Sequence, residues 1–309
     1  MKKENSKPSK GKSAVRKKKP APKADFSSRP KPKPEDAEKS ESIEGMRLNK
    51  YIAYCGVCSR RQAADLVKSG AVIVNGKEML EPFYQMKAND LVSVKGKPVK
   101  PESNKVYILM NKPKNVITTA KDERGRKTVM DLLAGKIHER VFPVGRLDRD
   151  TTGLLLLTND GELAEKLTHP SHGVKKIYHV QLDRSLPHAD LEKIRKGIEL
   201  EDGIAMVDGV DYVEGTKHTE LGVEIHIGKN RIVRRIFESM GYDVKGLDRV
   251  MYANLTKKNV ERGKWRFLSE KEVRLLKYMN ASYKKPAAKG KPVAVKEKTA
   301  AVKGKRKEL

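Results

Sequence analysis

The chain has 309 residues, and its 67 Lys and Arg residues outnumber its 40 Asp and Glu residues, which gives a formal net charge of +27. Such a charge is typical of a protein that contacts a polyanion, most commonly nucleic acid. No aliphatic run exceeds four residues, which excludes a membrane span, and no apolar stretch follows the basic N-terminus as in a secretory signal. Two cysteines exclude a disulfide framework, so we expect a cytoplasmic protein.

Two strongly basic tails flank the centre of the chain. Residues 1–45 hold 14 basic and 7 acidic residues with six prolines, and residues 283–309 hold 10 basic and 2 acidic residues. Because such segments bury too little apolar surface to offset their ordering entropy, we expect both to be disordered. They would add affinity for phosphates or only keep the chain soluble. Between them, residues 96–104 are expected to form a linker that separates a small domain (46–95) from a larger one (105–282).

The small domain is predicted to contain two helices and a hairpin. Apolar spacing favours a short helix over residues 46–54. Ser59 is a good N-cap for a second helix, which Gly70 would end. Asn75 and Gly76 form a dipeptide typical of tight hairpin turns.

Basic side chains cluster on these two predicted helices and include Arg47, Lys50, Arg60, Arg61 and Lys68. A solvated helix face would look the same, although the start of the second helix also offers backbone N–H groups that suit phosphate. The segment RLNKYIAYCGVCSRRQAADLVKSGAVIVNGK (47–77) resembles the S4 RNA-binding domain over its whole length. The resemblance implies that Arg47, Lys50, Arg60 and Arg61 bind structured RNA by its shape and backbone.

Cys55 and Cys58 form a C-x-x-C motif, which can bind zinc or carry out redox chemistry. Zinc needs four ligands, and the sequence nearby offers neither a second cysteine pair nor a histidine pair. The strand–helix context of a redox motif is also missing. We therefore expect two structural cysteines at a helix junction and no metal site.

The larger domain alternates strand-like and helix-like segments. Strand-like runs occupy residues 105–111, 154–157, 175–182, 221–227 and 244–251. Helical patterns cover residues 161–169, capped by Asp160, then 231–241 and 269–279. Because several neighbouring strands look like hairpins, we expect an α+β domain with a mixed, mostly antiparallel sheet.

Asp148 lies in the segment GRLDRDTTGLLLLTNDG (145–161), in a polar loop ahead of a buried strand. By spacing alone this loop could be an ordinary surface turn. The segment resembles the catalytic stretch of the RsuA/RluB/RluE/RluF family of RNA pseudouridine synthases. The resemblance extends over residues 46–280 and includes NKP (111–113), HP (169–170), KxY (176–178) and GKNRIVRRIFESMG (228–241).

This resemblance implies isomerisation of uridine to pseudouridine in ribosomal RNA, without a cofactor. The N1–C1′ bond breaks, the ring turns in its pocket, and a C5–C1′ bond forms. By motif match, Asp148 is the nucleophile or base, and Tyr178 stacks on the extruded uracil and presents its hydroxyl. Arg234 is the expected guanidinium that keeps a buried Asp148 charged. Asp150 is off the matched position and is expected to be a bystander.

Further positions are implied to contact substrate. Arg146 and Thr152 would hold phosphate or sugar, and Leu247 would keep the site dry, which strengthens charge pairing. The remaining expected RNA contacts are Lys176, Asn230, Arg231 and Arg235. Arg231 and Arg235 fall on one helical face, which could also be merely solvated, but the apolar opposite face favours a groove. Ile232 replaces the family's usual glutamine, so we expect altered packing or RNA contact there.

The target is predicted less directly. Long basic tails resemble the RluB type, which favours one uridine of 23S rRNA, in a large-subunit precursor or an assembling particle; 16S rRNA is the alternative. A non-catalytic RNA-binding assembly factor is the competing class, and the intact set Asp148, Tyr178 and Arg234 favours the enzyme. Beyond charge, nothing favours DNA binding. The resemblance also implies a monomer.

Overall fold

The computed structural model describes residues 43–282, so both predicted tails lie outside the described residues except for 43–45. The small domain comprises α1 (Leu48–Tyr54), α2 (Arg60–Lys68), β1 (Val72–Val74), β2 (Lys77–Glu78), β3 (Val92–Val94) and β4 (Lys97–Pro98). Its antiparallel sheet has the order β2-β1-β3-β4. The two helices pack on this sheet around a small apolar core that includes Leu48, Ile52, Val67 and Val72.

Local sequence signals explain these elements. The Ser59 side chain accepts a hydrogen bond from the Gln62 N–H, and the Gln62 side chain accepts one from the Ser59 N–H, which completes a capping box. Asn75 and Gly76 both have positive φ (52° and 78°), as the predicted tight turn between β1 and β2 requires. The predicted cap, second helix and hairpin turn are therefore confirmed.

The interval assigned by composition to a linker, residues 96–104, begins with a strand. Lys95 and Gly96 have φ values of 50° and 74°, and this turn pairs Val94 with Lys97 in the β3–β4 hairpin. The two domains also touch directly. Arg140 donates to the Cys58 carbonyl oxygen (2.9 Å), and the Lys105 ammonium lies 4.1 Å from the centre of the Tyr54 ring.

The larger domain comprises β5 (Tyr107–Lys112), β6 (Phe142–Val144), β7 (Thr152–Thr158), α3 (Gly161–Thr168), β8 (Lys176–Leu182), α4 (His188–Lys196), β9 (Ile198–Leu200), β10 (Gly203–Ala205), β11 (Gly209–Tyr212), β12 (Glu220–Ile225), α5 (Ile232–Ser239), β13 (Val244–Tyr252), β14 (Leu255–Thr256), β15 (Trp265–Phe267) and α6 (Glu270–Ser282). A nine-stranded sheet runs β11-β12-β8-β13-β7-β5-β15, with β14 beside β13 and β6 beside β7. Among the strands of residues 43–282, β7 and β13 are the only pair that runs parallel, so the predicted mixed, mostly antiparallel sheet is confirmed.

The buried run in β7 separates two apolar layers. Leu155 and Leu157 belong to the core that α4 and α5 cover, whereas Leu154 and Leu156 face the core covered by α3 and α6. Burial on both faces explains a continuous rather than alternating apolar pattern. Asp160 caps α3 as predicted, since its carboxylate accepts from the Leu163 N–H (3.0 Å). Residues 183–220, for which the sequence predicted no element, contain α4 and β9 to β11.

Among the helices of residues 43–282, none combines the length and the apolar character that a membrane span requires.

Candidate active site

One cavity of about 360 Å³ opens where the loop before β7 meets β8, β13 and the start of α5. The sequence-predicted residues that line it are Arg146, Asp148, Lys176, Tyr178, Asn230, Arg231 and Leu247. Tyr178 and Leu247 are buried and form part of its wall, whereas Arg146 and Asn230 are exposed at its edge. The cavity thus combines apolar and aromatic walls with basic and polar side chains around its opening.

Asp148 is held in the loop between β6 and β7, with its side chain 34% exposed. The nearest cation is Arg231, whose Nη1 lies 3.7 Å from Asp148 Oδ2. The other end of that guanidinium donates to Glu238 (3.1 Å). Arg231 caps α5 with a φ of 47°, which is costly for a residue with a side chain and is typically kept at functional sites.

Arg234, which the sequence assigned to Asp148, instead pairs with Asp150. Its Nη2 lies 2.7 Å from Asp150 Oδ2, and its Nη1 donates to the Val244 carbonyl oxygen (2.9 Å). Arg234 lies three residues beyond Arg231 on α5, and its side chain is only 6% exposed. It does not line the cavity. The predicted pairing is therefore corrected, and Asp150 is the partner of Arg234 rather than a bystander.

Lys112 holds the backbone of the loop between β6 and β7 (residues 145–151), which contains Asp148. It ends β5 with a fully buried side chain, and its ammonium donates to the carbonyl oxygens of Thr151 (2.8 Å) and Pro113 (3.1 Å). Burial lowers the pKa of Lys112 to about 8, and the nearby Asp150 and Asp148 carboxylates oppose that shift. NKP was part of the family resemblance, but no role was predicted for this lysine from the sequence.

Thr152 does not face the cavity, contrary to the expectation that it holds phosphate or sugar. Its hydroxyl is buried and donates to Asp248 Oδ1 (2.6 Å). Asp248 also accepts from Arg262 (2.7 Å) and from the Lys257 ammonium. Burial would raise the pKa of Asp248, but the hydrogen bonds from Arg262, Lys257 and Thr152 outweigh it and hold the pKa at about 2. Thr152 thus ties β7 to β13.

Arg235 also points away from the cavity. It forms a bidentate ion pair with Asp202, with distances of 2.6 and 3.1 Å between guanidinium nitrogens and carboxylate oxygens. This contact attaches α5 to the turn between β9 and β10, and the predicted RNA contact would require the pair to open. Ile232, in the position of the family's glutamine, is buried in the core and lines the cavity wall.

Arg249, in β13, was missed from the sequence and lines the inner part of the cavity. Its Nε donates to the Leu154 carbonyl oxygen (2.7 Å), and its guanidinium lies 4.5 Å from the centre of the Tyr252 ring. The Lys176 ammonium, also in the cavity lining, donates to the His226 carbonyl oxygen (2.7 Å). Burial lowers the pKa of Lys176 to about 8, and the positive charge of Arg249 adds to that shift.

Comparison with known proteins identifies the family of this chain. Residues 106–239 match the family model for RNA pseudouridylate synthase, and residues 46–92 match the S4 domain. The ribosomal large subunit pseudouridine synthase B of Bacillus subtilis is 42% identical over 234 residues, which cover 75% of this chain and 95% of that protein. The chain belongs to the RNA pseudouridine synthase family.

Other relatives of the synthase support the same assignment. An uncharacterized RNA pseudouridine synthase of Aquifex aeolicus is 40% identical and covers 77% of this chain and 96% of its own. The dual-specificity RNA pseudouridine synthase RluF of Escherichia coli is 34% identical, with coverage of 84% and 88%. A crystal structure of a pseudouridylate synthase matches with a TM-score of 0.54 at 26% identity, covering 74% of this chain and 99% of that one. The predicted family and two-domain fold are confirmed.

The S4 domain of the synthase carries the other predicted RNA contacts. Arg47, Arg60 and Arg61 are exposed and Lys50 is half-buried. Within residues 43–282, no carboxylate forms an ion pair with any of them, and Arg47 lies 5.3 Å from the centre of the exposed Phe83 ring. The capping box already uses one backbone N–H at the start of α2, so that helix end offers fewer donors than expected.

The cysteines of the synthase are both free and half-buried. Burial raises the pKa of Cys55 to about 11 and also raises the pKa of Cys58. Thiols in such surroundings are mostly protonated at neutral pH and react slowly. In the part of the chain that the structure describes, no group of three His, Cys, Asp or Glu side chains could hold a metal ion.

Proposed function

We propose that this synthase converts one uridine of 23S ribosomal RNA to pseudouridine. The observation that carries the proposal is the single cavity in which Asp148, Arg231 and Tyr178 meet, in a chain similar to a large-subunit synthase over 95% of that relative. The dual-specificity RluF belongs to the same family, but the match covers 88% of that relative rather than 95%. The basic, two-domain chain matches a structured and highly charged substrate.

The cavity supports a specific division of labour. The target uridine is extruded from its RNA and enters between the aromatic and aliphatic walls, at a cost of a few kcal/mol in unstacking. The Asp148 carboxylate acts as nucleophile or base while attraction to Arg231 holds it in place. Tyr178 faces the uracil ring, and Leu247 excludes water, which strengthens the Asp148–Arg231 attraction.

Binding of the rest of the RNA is assigned to the basic surface. Arg146, Asn230 and Arg231 at the cavity opening are placed to contact backbone next to the extruded nucleotide. Arg60 and Arg61 in the S4 domain would bind structured RNA farther away, through phosphate and shape rather than base edges. We further propose that the synthase acts as a monomer in the cytoplasm, on an assembling large-subunit particle.

Pseudouridine mapping of total rRNA tests this function. Carbodiimide-dependent reverse-transcription stops are compared in cells with and without the gene, and we expect one 23S stop to disappear. Wild-type synthase should restore the stop and Asp148→Asn should not, although the purified variant binds RNA with near wild-type affinity. Asp243→Asn, which alters an exposed carboxylate that pairs with Lys245, is the matched control and should restore the stop.

Each other outcome contradicts part of the proposal. Loss of a 16S stop instead would overturn the choice of subunit. Restoration by Asp148→Asn would overturn the role of that carboxylate. An unchanged map would favour an RNA-binding assembly factor over an enzyme that acts on ribosomal RNA.

A further inference from the structure

Arg249 brings a charge to the floor of the cavity that the protein does not neutralise. The residue is 3% exposed, and its Nη2 is buried without a hydrogen-bond partner. Its neighbour Asp248 turns to the other side of β13 and binds Lys257 and Arg262, and no other described carboxylate lies within ion-pair distance of Arg249. The Arg249 Nε donates to the Leu154 carbonyl oxygen and its guanidinium faces the Tyr252 ring, but a buried charge that no anion balances is costly. A ligand that supplied an acceptor here would recover that cost.

A second cation enhances the positive character of the floor. Lys176 lines the same cavity, where its ammonium donates to the neutral His226 carbonyl oxygen and also feels the more distant Asp208 carboxylate. Burial lowers the pKa of Lys176, the positive charge of Arg249 lowers it further, and the Asp208 carboxylate opposes these shifts. Thr151 adds a buried hydroxyl without a partner to the same lining. The floor therefore favours a ligand that carries negative charge or strong acceptors.

The surroundings of Arg249 distinguish between a phosphate and a base as that ligand. Phosphates remain hydrated and suit the exposed cations Arg146 and Arg231 at the opening. Around Arg249 the cavity is lined by the buried side chains of Tyr178, Leu247 and Tyr252. In the sheet, Tyr178 lies directly opposite Arg249 on the neighbouring strand. Walls of this kind accept a flat ring and exclude water, so the acceptor that reaches Arg249 belongs to the uracil.

The isomerisation itself creates negative charge on that ring. When the N1–C1′ bond breaks, its electron pair stays with N1 and spreads onto the carbonyl oxygens O2 and O4. The pair returns when C5 attacks C1′, after which C5 loses its proton and N1 gains one. Arginine does not deprotonate in proteins. A fixed donor at the oxygen of a developing anion is the arrangement that stabilises such a transition state most.

We propose that Arg249 donates a hydrogen bond to a uracil carbonyl oxygen and stabilises the ring anion released from C1′. The inference rests on the proposed function, because it takes the Asp148 cavity as the place where uridine reacts. It adds an electrostatic catalytic group to Asp148 and Tyr178. It also explains why the fold keeps a guanidinium at a position where Nη2 has no protein partner.

The test compares two RNA substrates under single-turnover conditions, and the two differ only at C5 of the target ring. The substrate is a synthetic RNA hairpin that carries either uridine or 5-fluorouridine at the position found by mapping. Fluorine at C5 already stabilises the ring anion, so it reduces the need for Arg249. Arg249→Met should slow conversion of uridine by ~100-fold or more, with an unchanged Kd for the hairpin. With the 5-fluorouridine hairpin, Arg249→Met should slow the reaction by a several-fold smaller factor. Disappearance of 5-fluorouridine is measured by nuclease digestion and mass spectrometry.

Two other variants make the result specific. Arg249→Lys keeps the charge, so its rates should lie between those of wild type and Arg249→Met, again with less slowing on 5-fluorouridine than on uridine. This variant replaces Arg249→Met in the comparison if Arg249→Met does not fold. Arg146→Met removes a cation at the opening, so it should weaken hairpin binding and change both conversion rates by the same factor. Equal slowing of both substrates by the Arg249 variants, or a wild-type rate on uridine, would overturn the inference. A wild-type synthase that fails to convert the uridine hairpin would instead overturn the proposed function.

Discussion

Two arginines, Arg231 at the N-cap of α5 and Arg234 within it, contact two carboxylates of the loop between β6 and β7 at different distances. Arg234 and Asp150 are 2.7 Å apart, which is a full hydrogen-bonded ion pair, whereas Arg231 and Asp148 are 3.7 Å apart. The longer distance exceeds a hydrogen bond. Asp148 is therefore attracted to a cation while its oxygen lone pairs remain available for chemistry. We infer that the tight pair positions the loop and that the longer distance leaves Asp148 free for its proposed role.

Replacing Asp150 with Asn should slow the reaction without removing any group that touches substrate. The change releases the buried Arg234 and removes a carboxylate that opposes the lowered pKa of Lys112, so that pKa should fall further. Both effects loosen the loop, and a small misplacement of Asp148 should cost about 10-fold or more in single-turnover rate. Rates on the RNA hairpin and urea unfolding curves measure the two consequences.

The control for Asp150→Asn is Asp243→Asn, which removes an exposed carboxylate outside the cavity. This control should keep the wild-type rate. If Asp150→Asn also kept it, the Arg234–Asp150 pair would be a surface contact without influence on Asp148. Because Asp150 is 55% exposed, solvent screens the pair, and we expect a smaller loss of stability than for a fully buried one.

At the scale of elements, the parallel pairing of β7 and β13 joins the loop between β6 and β7 to the cavity floor. Gly153 lies at this junction with a φ of +103°, and a Cβ there would lie 2.5 Å from the backbone nitrogen of Arg249 and would overlap its carbonyl oxygen. Only glycine permits both the backbone conformation and the close approach. The close approach of β7 to β13 therefore requires glycine at this position.

Gly153→Ala should destabilise the synthase domain by roughly 3 kcal/mol or more, because the clash is with backbone atoms and the φ is unfavourable for alanine. Thermal and urea unfolding of the full chain measure the loss. Gly161→Ala, at the first position of α3, is the matched control because nothing lies within 4 Å of its added Cβ. The control should be neutral or slightly stabilising. Equal behaviour of the two variants would show that β7 can move away from β13.

Elements with strong local signals could be predicted from the sequence. The capping box at Ser59, the Asp160 cap and the run Leu154–Leu157 all fix structure within a few residues. The helix α4 was missed because it follows Pro187 without a side-chain cap and buries only Leu191 and Ile194. Its stability comes from the sheet it covers, and a local pattern does not contain that information.

The site shows the same limit. The family motif located Asp148, Tyr178 and Leu247, and the structure places all three at one cavity. The partner of Arg234 depends on which way a helix faces a loop more than 80 residues away in the chain. Arg249 could have been predicted from the sequence. Residues two apart in a strand share a face, so Arg249 lies on the same face as Leu247, toward the cavity.

At the scale of the whole molecule, positive charge is distributed over the S4 domain, the cavity opening and the tails. In the proposed reaction the target uracil enters the cavity, so the cations elsewhere contribute affinity and orientation. Phosphate contacts release counterions and make binding depend on salt. Charge removal far from the cavity should therefore change RNA binding and leave the chemical step unaltered.

Replacing both Arg60 and Arg61 with Ala tests this separation. The substrate is an rRNA fragment that contains the target hairpin, and the double variant should bind it more weakly. The magnitude of the slope of log affinity against log salt should fall by about 2, roughly 1 for each lost phosphate contact. With the RNA fully bound, its single-turnover rate should equal that of wild type. Lys193→Ala with Lys196→Ala removes the same charge from the exposed side of α4 and should change the slope less. Two results would contradict phosphate binding by the S4 domain that is independent of the chemical step. One is a slower single-turnover rate of the Arg60/Arg61 variant, and the other is an equal salt slope for this variant and the Lys193/Lys196 variant.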